Sequence, residues 1–231
     1  MPSSLILTVT IVVVAMIFDT INGFHDSANA IACVVSTRVM TMREAVVMSA
    51  SLNFAGAFMS VKVAQTVGNG IVNPNDITQI VIIAALLGAI IWNLITWYFG
   101  IPSSSSHALI GGLVGSAIVY KSSFLIVNWS GLFWKVILWL ILSPLIGFIA
   151  GFAFMSFMNM ILRNTRPHTV TKIFSKAQIF SAMLIALNHG GNDAQKTMGI
   201  ITMTLVSAGF LHEFSVPLWV KICCALSMAL G

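Results

Sequence analysis

Residues Ile21 to Ala30 read INGFHDSANA, and they begin where the apolar run Ser4–Ile21 ends. The segment concentrates a carboxylate, an imidazole and two amides in one short stretch, from Asn22, His25, Asp26 and Asn29. If this run lies in a membrane, a centred carboxylate costs about 2.5–3.5 kcal/mol on insertion scales. Ionisable residues kept at that cost usually mark an ion path.

Composition places the whole chain in a membrane. Of its 231 residues, 58% are hydrophobic and 7% are charged, and the mean hydropathy is +0.98. Soluble domains carry about 25% charged residues. Only helices and closed barrels satisfy their backbone polar groups in hydrocarbon. Because the apolar runs are long and strand-like alternation is absent, the sequence predicts an all-α, polytopic integral membrane protein.

The apolar runs indicate several spans and several interruptions. They lie at Ser4–Ile21, Ala45–Val67, Ile77–Phe99, Ala108–Tyr120, Leu132–Leu162, Ala177–Leu187, Met198–Phe210 and Val216–Gly231. The fourth, sixth and seventh runs are too short to cross alone, and each adjoins a polar cluster, which predicts broken or re-entrant helices. Leu132–Leu162 is overlong, and Pro144 is expected to kink or divide it.

Basic residues set the predicted orientation and division of the chain. The net charge of +5 does not indicate a nucleic-acid partner, because the basic residues lie between apolar runs. The positive-inside rule assigns the basic segments to the cytoplasm; these residues are Arg38, Arg43, Arg163, Arg166, Lys172 and Lys176. The N-terminus is then external. We predict a first transmembrane repeat at 1–162, a basic cytoplasmic loop at 163–176 and the start of a second, inverted repeat at 177–231.

A second polar segment echoes the first. Residues Asn188 to Lys196 read NHGGNDAQK, and aligning Asp193 with Asp26 also pairs Gly190 with Gly23. The first segment ends a span that heads inward, whereas the second follows the basic loop and heads outward. Two similar polar segments in oppositely directed helices are typical of inverted-repeat secondary transporters, whose interrupted helices bind ions near the midplane.

A third motif, GIPSSSSHALIGGLVG, occupies Gly100 to Gly115. Pro102 is expected to end the preceding helix, and four serines then begin an apolar run. Serine hydroxyls and unpaired backbone N–H groups at the positive end of a helix dipole form an anion cradle, and phosphate suits such a site. His107 is expected to donate to a phosphate oxygen or to carry a proton. The three glycines that follow, Gly111, Gly112 and Gly115, predict close helix packing.

The three motifs, in this order and over essentially the whole chain, resemble the PiT family of inorganic phosphate transporters, most of all its bacterial low-affinity members. The resemblance implies a multi-pass protein of the bacterial cytoplasmic (inner) membrane. Family members couple inward phosphate movement to sodium or protons. Bacterial members are thought to carry phosphate as a neutral complex with a divalent metal, alongside protons.

The resemblance also carries over residue by residue. Asp26 and Asn29 match the first signature of the family, and Asn192 and Asp193 match the second. Two and three residues after Asp193, Gln195 and Lys196 stand where other members have Ala and Asn. Ser103 to Ser106 match the first phosphate-binding hairpin. The family's second serine- and threonine-rich hairpin is absent before Gly231, so we interpret the chain as the N-terminal part of a longer transporter.

Residues and resemblance together predict a secondary active transporter, not an enzyme, that imports inorganic phosphate by symport with protons or sodium. The predicted phosphate-binding residues are Ser103, Ser104, Ser105, Ser106, His107 and Lys196. The predicted coupling residues are Asn22, His25, Asp26, Asn29, Asn192, Asp193 and Gln195. We expect no resident metal or cofactor; the transported ions are H⁺ or Na⁺, with Mg²⁺ or Ca²⁺ accompanying phosphate. The other expected partner is the lipid bilayer, and a homo-oligomer is left open.

Other interpretations stay open at this point. The substrate can be another oxyanion such as sulfate, or the chain can be a fragment that does not transport. A membrane metal-dependent hydrolase is the weakest alternative, because no H-E-x-x-H or comparable spacing occurs. Lys196 can instead pair with Asp193 or reach an interface, and His25 can be a packing residue.

Overall fold

The computed structural model describes residues 2–231, with side-chain surroundings for all but 2–4, 27 and 69. Met1, where the predicted first repeat begins, lies outside the described residues. The α-helices are α1 Pro2–Ser36, α2 Met42–Gly56, α3 Lys62–Asn69, α4 Gln79–Phe99, α5 Ser105–Lys121, α6 Trp129–Leu132, α7 Leu138–Leu162, α8 Pro167–Ser207 and α9 Leu218–Leu230. A π-helical segment, Phe133–Ile137, joins α6 to α7, and 3₁₀ turns lie at Pro74–Asp76 and Phe124–Ile126.

The all-α prediction is confirmed for the described part of the chain. Its only extended pairing is an isolated bridge between Val72 and Val127. Within the described residues, four helical stretches are long and apolar enough to cross a membrane: Leu5–Ser36, Gln79–Phe99, Trp129–Leu162 and Pro167–Ser207. A multi-pass membrane protein follows from these lengths and compositions.

The two echoing polar segments do not break their helices. α1 runs without interruption through Ile21–Ala30, and α8 runs through Asn188–Lys196. The short runs predicted at Ala177–Leu187 and Met198–Phe210 are therefore parts of one helix, and the prediction of broken helices is wrong at both places. A glycine inside a helix costs about 1 kcal/mol relative to alanine, which is too little to end a helix whose polar side chains find partners across its interfaces.

Breaks occur elsewhere in the chain. The run Ala45–Val67, expected to be a single span, is divided into α2 and α3 around residues 57–61. α4 ends at Phe99, and Gly100 follows in the left-handed region at φ +63°, a conformation that glycine adopts without steric cost. α5 then begins at Ser105 with Ser104 as its N-cap. The expectation that Pro102 separates two helices and that the serines start the second is confirmed.

Two predicted boundaries in the second half of the chain are wrong. Pro144 lies inside α7 and does not divide it, since a proline is tolerated in a membrane helix when neighbouring groups satisfy the freed carbonyl. A kink at Pro144, the other expectation, stays a prediction. The irregularity falls instead on the π-helical segment. The predicted basic loop 163–176 is mostly helical, because α8 begins at Pro167, and proline is well suited to the first turn of a helix.

The start of α2 carries a complete capping box outside the candidate spans. Thr41 is the N-cap, and its backbone N–H donates to Glu44 Oε2 at 2.9 Å. The Thr41 hydroxyl donates to the same oxygen at 2.8 Å. These two bonds, the backbone one first, lower the pKa of Glu44 from its ordinary value. The stabilisation is therefore present above the pKa of the unfolded carboxyl and is lost as pH falls through the lowered value.

α1 and α8 run antiparallel along one another. Asp19 bonds Thr197, Asn22 bonds Asp193, and further along α1 Thr37 bonds Gln178 near the start of α8. Residue numbers on α8 therefore fall as the residue numbers of their partners on α1 rise. The opposite direction of the two polar segments, predicted from the basic residues, is confirmed. The side of the membrane on which each helix begins, including an external N-terminus, stays a prediction.

α4 and α5 form a helical hairpin beside α1. Thr8 and Gln79 bond at 2.5 Å near the start of both helices, and the rings of Phe24 and Trp97 are 5.7 Å apart near the end of α4. α4 therefore runs parallel to α1, and α5 folds back along it. This arrangement brings the serines at the start of α5 to the middle of the α1–α8 pair.

Replacing Gly112 with alanine is expected to destabilise this hairpin. A methyl group there would lie 2.6 Å from the carbonyl oxygen of Ala85, whereas nothing lies within 4 Å of the same group at Gly111 or Gly115. The predicted close packing is thus confirmed at Gly112 and wrong at the other two glycines. We expect Gly112→Ala to cost about 1–3 kcal/mol and Gly111→Ala to gain up to about 1 kcal/mol. Thermal unfolding in detergent measures both, and equal unfolding temperatures would contradict the assigned packing.

Candidate functional site

The three polar motifs meet around one cavity of about 310 Å³. Its walls come from α1, from the loop and first turn of α5, and from α8; the lining residues are Asp26, Asn29, Ala30, Ser103, Ser104, Ser106, Ile185, His189 and Asp193. The antiparallel crossing of α1 and α8 sets the two motif carboxylates opposite one another. The hairpin turn before α5 then closes one side with hydroxyl groups.

Asp26 connects α1 to the start of α5. Its Oδ1 lies 2.8 Å from His25 Nδ1, and its Oδ2 accepts a hydrogen bond from the Ser105 hydroxyl at 3.3 Å. The Asp26 side chain is 18% exposed and that of His25 is 9% exposed. A largely buried carboxylate therefore has both oxygens engaged, one by an imidazole and one by a predicted anion-binding serine.

Asp193 has more polar partners than Asp26, and one of them is the ammonium group of Lys196. Lys196 Nζ donates to Asp193 Oδ1 at 2.5 Å and also to the hydroxyl of Ser106. On the other oxygen, Asn22 Nδ2 donates at 3.4 Å and His189 Nε2 lies 3.6 Å away. Lys196 is only 9% exposed. The ammonium thus lies inside the protein, between a carboxylate of α8 and a serine of α5.

His189 is a site residue that the sequence reasoning left unassigned. Its Nδ1 lies 3.2 Å from Asn53 Oδ1 on α2. The tautomer that donates from Nδ1 to this oxygen leaves the Nε2 lone pair beside Asp193. One ligand atom from each of Asp26, His189 and Asp193 lies within 4.8 Å of the others. The four-residue spacing of His189 and Asp193 on one helix face was the available signal.

Two further acceptors are buried where α1 faces α8. Asp19 Oδ1 accepts from the Thr197 hydroxyl at 2.9 Å. The other carboxylate oxygen, Asp19 Oδ2, and the amide oxygen of Asn22 are buried without a hydrogen-bond partner among the described residues. Both side chains are fully buried. An oxygen that only accepts needs a hydrogen-bond donor or a cation as its partner, and the coupling role of Asn22 stays a prediction.

Seven of the thirteen predicted site residues do not line the cavity. Four of these seven bond Asp26 or Asp193, which do line it: Asn22, His25, Ser105 and Lys196. The other three lie away from the site. His107 is exposed and lines a neighbouring cavity with Trp92, because successive residues of a helix point about 100° apart and Ser106 faces the site. Asn192 is exposed on α8. Gln195 is buried, but its Oε1 accepts from the backbone N–H of Val63 at 3.0 Å and its Nε2 donates to the Gly191 carbonyl. Gln195 therefore satisfies the first turn of α3.

Fold and site define a class of protein: a multi-pass helical membrane protein in which carboxylates and serine hydroxyls line a cavity between helices, and an ammonium pairs with one of the carboxylates. A family model described as the phosphate transporter family matches residues 22–231. The chain belongs to this family, which confirms the predicted resemblance; it is a family of transporters and not of enzymes.

Individual relatives agree with this assignment. The chain is 49% identical to the probable low-affinity inorganic phosphate transporter of Bacillus subtilis (strain 168), over 98% of this chain and 68% of that protein. It is 48% identical to the protein of the same name from Rhizobium meliloti (strain 1021), over 97% of this chain and 67% of that protein. A solved structure titled "The sodium-dependent phosphate transporter" shares the fold, with a TM-score of 0.83 and 22% identity over 96% of this chain and 74% of that one.

Proposed function

We propose that this protein imports inorganic phosphate across the bacterial cytoplasmic membrane by symport with protons or sodium ions, and that the cavity between α1, α5 and α8 is the transport site. The observation that carries the proposal is the placement of two carboxylates, Asp26 and Asp193, and one ammonium, Lys196, against the N-terminus of α5. Each of these groups has a distinct task when a phosphate enters.

The phosphate oxygens are bound by the start of α5. Ser104 caps the helix by accepting the His107 N–H at 3.4 Å, and Ser103, Ser104 and Ser106 face the cavity. The unpaired N–H groups of the first turn carry about half a positive charge. Hydroxyls, N–H groups and the Lys196 ammonium, which has three donors, together suit the several acceptor oxygens of phosphate.

The same cavity cannot hold phosphate without additional cations. Two carboxylates against one ammonium leave the walls negative when both acids are ionised, and an unpaired charge in a membrane interior is costly. A cation or proton bound near Asp26, His189 and Asp193 would offset this charge and that of the phosphate. Carboxylate oxygens suit Na⁺, Mg²⁺ and Ca²⁺, so entry of phosphate as a neutral divalent-metal complex is part of the proposal.

Uptake of radiolabelled phosphate tests the proposal, in cells that lack other phosphate importers and express the protein as its gene encodes it. We expect saturable uptake that arsenate inhibits and sulfate does not. Inhibition by sulfate at equal concentration would reassign the substrate to oxyanions in general. Uptake no greater than in cells without the gene would overturn the proposal.

Within this assay Ser106→Ala is expected to raise the KM for phosphate by roughly tenfold or more, because a hydrogen bond to a charged group contributes about 1.5–3 kcal/mol. Ser116→Ala is the matched control on the same helix, since its hydroxyl donates to the Leu113 carbonyl at 3.2 Å and Ser116 does not line the cavity. Equal KM values for the two variants would remove Ser106 from the phosphate site.

A further inference from the structure

The two polar segments differ at one equivalent position. Aligning Asp26 with Asp193 places Asn29 of α1 against Lys196 of α8, each three residues after its carboxylate. Residues three apart lie on one helix face. Asn29 is therefore a neighbour of Asp26, and Lys196 is a neighbour of Asp193. In α1 that neighbour is a neutral amide that lines the cavity; in α8 it is a lysine.

Lys196 is positioned as a counter-ion. A lysine in a membrane helix usually extends its four-carbon chain to reach water, yet Lys196 is only 9% exposed. Its Nζ lies 2.5 Å from Asp193 Oδ1 and contacts the Ser106 hydroxyl. By contrast, among the described side chains the ion pair of Asp26 is with His25, and neither a lysine nor an arginine pairs with it. The positive charge of Lys196 therefore pairs with Asp193 and not with Asp26.

We propose that Lys196 is a built-in cation that takes the place of a coupling sodium ion at Asp193. An ammonium is a compact charge of +1, as sodium is, and the carboxylate and hydroxyl oxygens that it contacts are the ligand types that sodium takes. The half of the site built on α8 then needs no sodium. Any sodium ion that couples to transport is expected to bind at Asp26 and Asn29 on α1. The inference rests on the proposed function, because it assigns one partner within the same transport site.

Lys196→Asn tests the inference, since it gives α8 the carboxylate–amide spacing of α1. Thermal unfolding of the purified protein is measured in NaCl and in choline chloride at equal ionic strength and pH. We expect Lys196→Asn to unfold at a lower temperature than wild type in choline, and to gain about 5 °C more than wild type from saturating Na⁺. Lys176→Asn, which removes an exposed lysine near the start of the same helix, is expected to respond to Na⁺ as wild type does. Equal responses of Lys196→Asn and wild type would overturn the inference.

A second measurement serves if Lys196→Asn does not fold. Binding of ²²Na⁺ to wild type and to the Asp26→Asn and Asp193→Asn variants locates any sodium that the carboxylates hold. The inference is supported if wild type binds no ²²Na⁺, or if the Asp26→Asn variant loses the ²²Na⁺ that wild type binds. Sodium that survives in Asp26→Asn and is lost in Asp193→Asn overturns it, because Asp193 would then bind sodium beside Lys196.

These readouts do not require phosphate. Absence of phosphate uptake in wild type would overturn the proposed function whatever the sodium response. An unchanged sodium response in Lys196→Asn would overturn only the role of Lys196. The two failures are therefore distinguishable.

Discussion

Asp193→Asn is expected to lower phosphate uptake by about 100-fold or more. The substitution keeps the size of the side chain but removes the charge that compensates the buried ammonium of Lys196, 2.5 Å away. Breaking a buried ion pair by removing one partner costs about 3–5 kcal/mol, and each 1.4 kcal/mol corresponds to about a factor of ten. It also leaves the Lys196 ammonium without its carboxylate partner beside Ser106, and so disturbs the predicted phosphate-binding residues directly. Initial uptake at subsaturating phosphate, divided by the amount of protein in the membrane, measures the effect.

Two variants separate charge from structure in this experiment. Asp76→Asn is the control for loss of a carboxylate, because Asp76 is exposed in the 3₁₀ turn Pro74–Asp76; its uptake is expected to match wild type. The double variant Asp193→Asn/Lys196→Met removes both charges and is expected to recover thermal stability but not uptake. If the double variant recovered uptake as well, the Asp193–Lys196 pair would be only structural, and its place in the transport site would be wrong.

Gly190→Ala is expected to prevent close packing of α2 on α8 and to lower the yield of folded protein severely. A methyl group at Gly190 would overlap the backbone of Asn53, whose Cα, carbonyl carbon and oxygen are all its nearest neighbours. Overpacking of this kind costs about 1–3 kcal/mol when the neighbours can shift and more when they cannot. Here the neighbour is backbone, and its displacement would also move the Asn53 side chain away from His189. Size-exclusion chromatography and thermal unfolding of detergent-solubilised protein measure the loss.

Gly147→Ala is the matched control for this substitution. Gly147 lies in α7, and nothing lies within 4 Å of a methyl group added there. Because alanine favours a helix over glycine by about 1 kcal/mol, this variant is expected to fold at least as well as wild type. Equal yield and stability for Gly190→Ala and Gly147→Ala would show that α2 and α8 do not pack as described.

The meeting of the three motifs was predictable from the sequence because polar residues are rare in apolar runs. Asp26, Asp193 and Ser103–Ser106 each interrupt such a run, and the basic residues indicated that the two carboxylates sit on oppositely directed helices. Burying several polar groups separately in a membrane is more costly than letting them partner one another. Their convergence on one cavity follows from that cost.

The continuity of α1 and α8 could not be predicted from the same residues. Glycines and amides disfavour a helix by local preference, so the motifs indicated breaks. The opposing contribution comes from contacts between helices that are distant in sequence, such as Gly190 against Asn53. Gln195 illustrates the same limit: its partner, the N–H of Val63, is 132 residues away, and no local pattern indicates it.

The antiparallel crossing of α1 and α8 has a consequence for the resting orientation of the protein. In a transporter whose inverted halves exchange shapes, identical halves would give outward-open and inward-open states of equal free energy, because the exchange converts one state into the other. Asn29 and Lys196 occupy equivalent positions but differ in charge, so this equality is broken in the chain itself. A difference of about 1.4 kcal/mol already populates one orientation ten times more than the other. If this protein works in that way, its empty site is expected to open mainly to one side of the membrane.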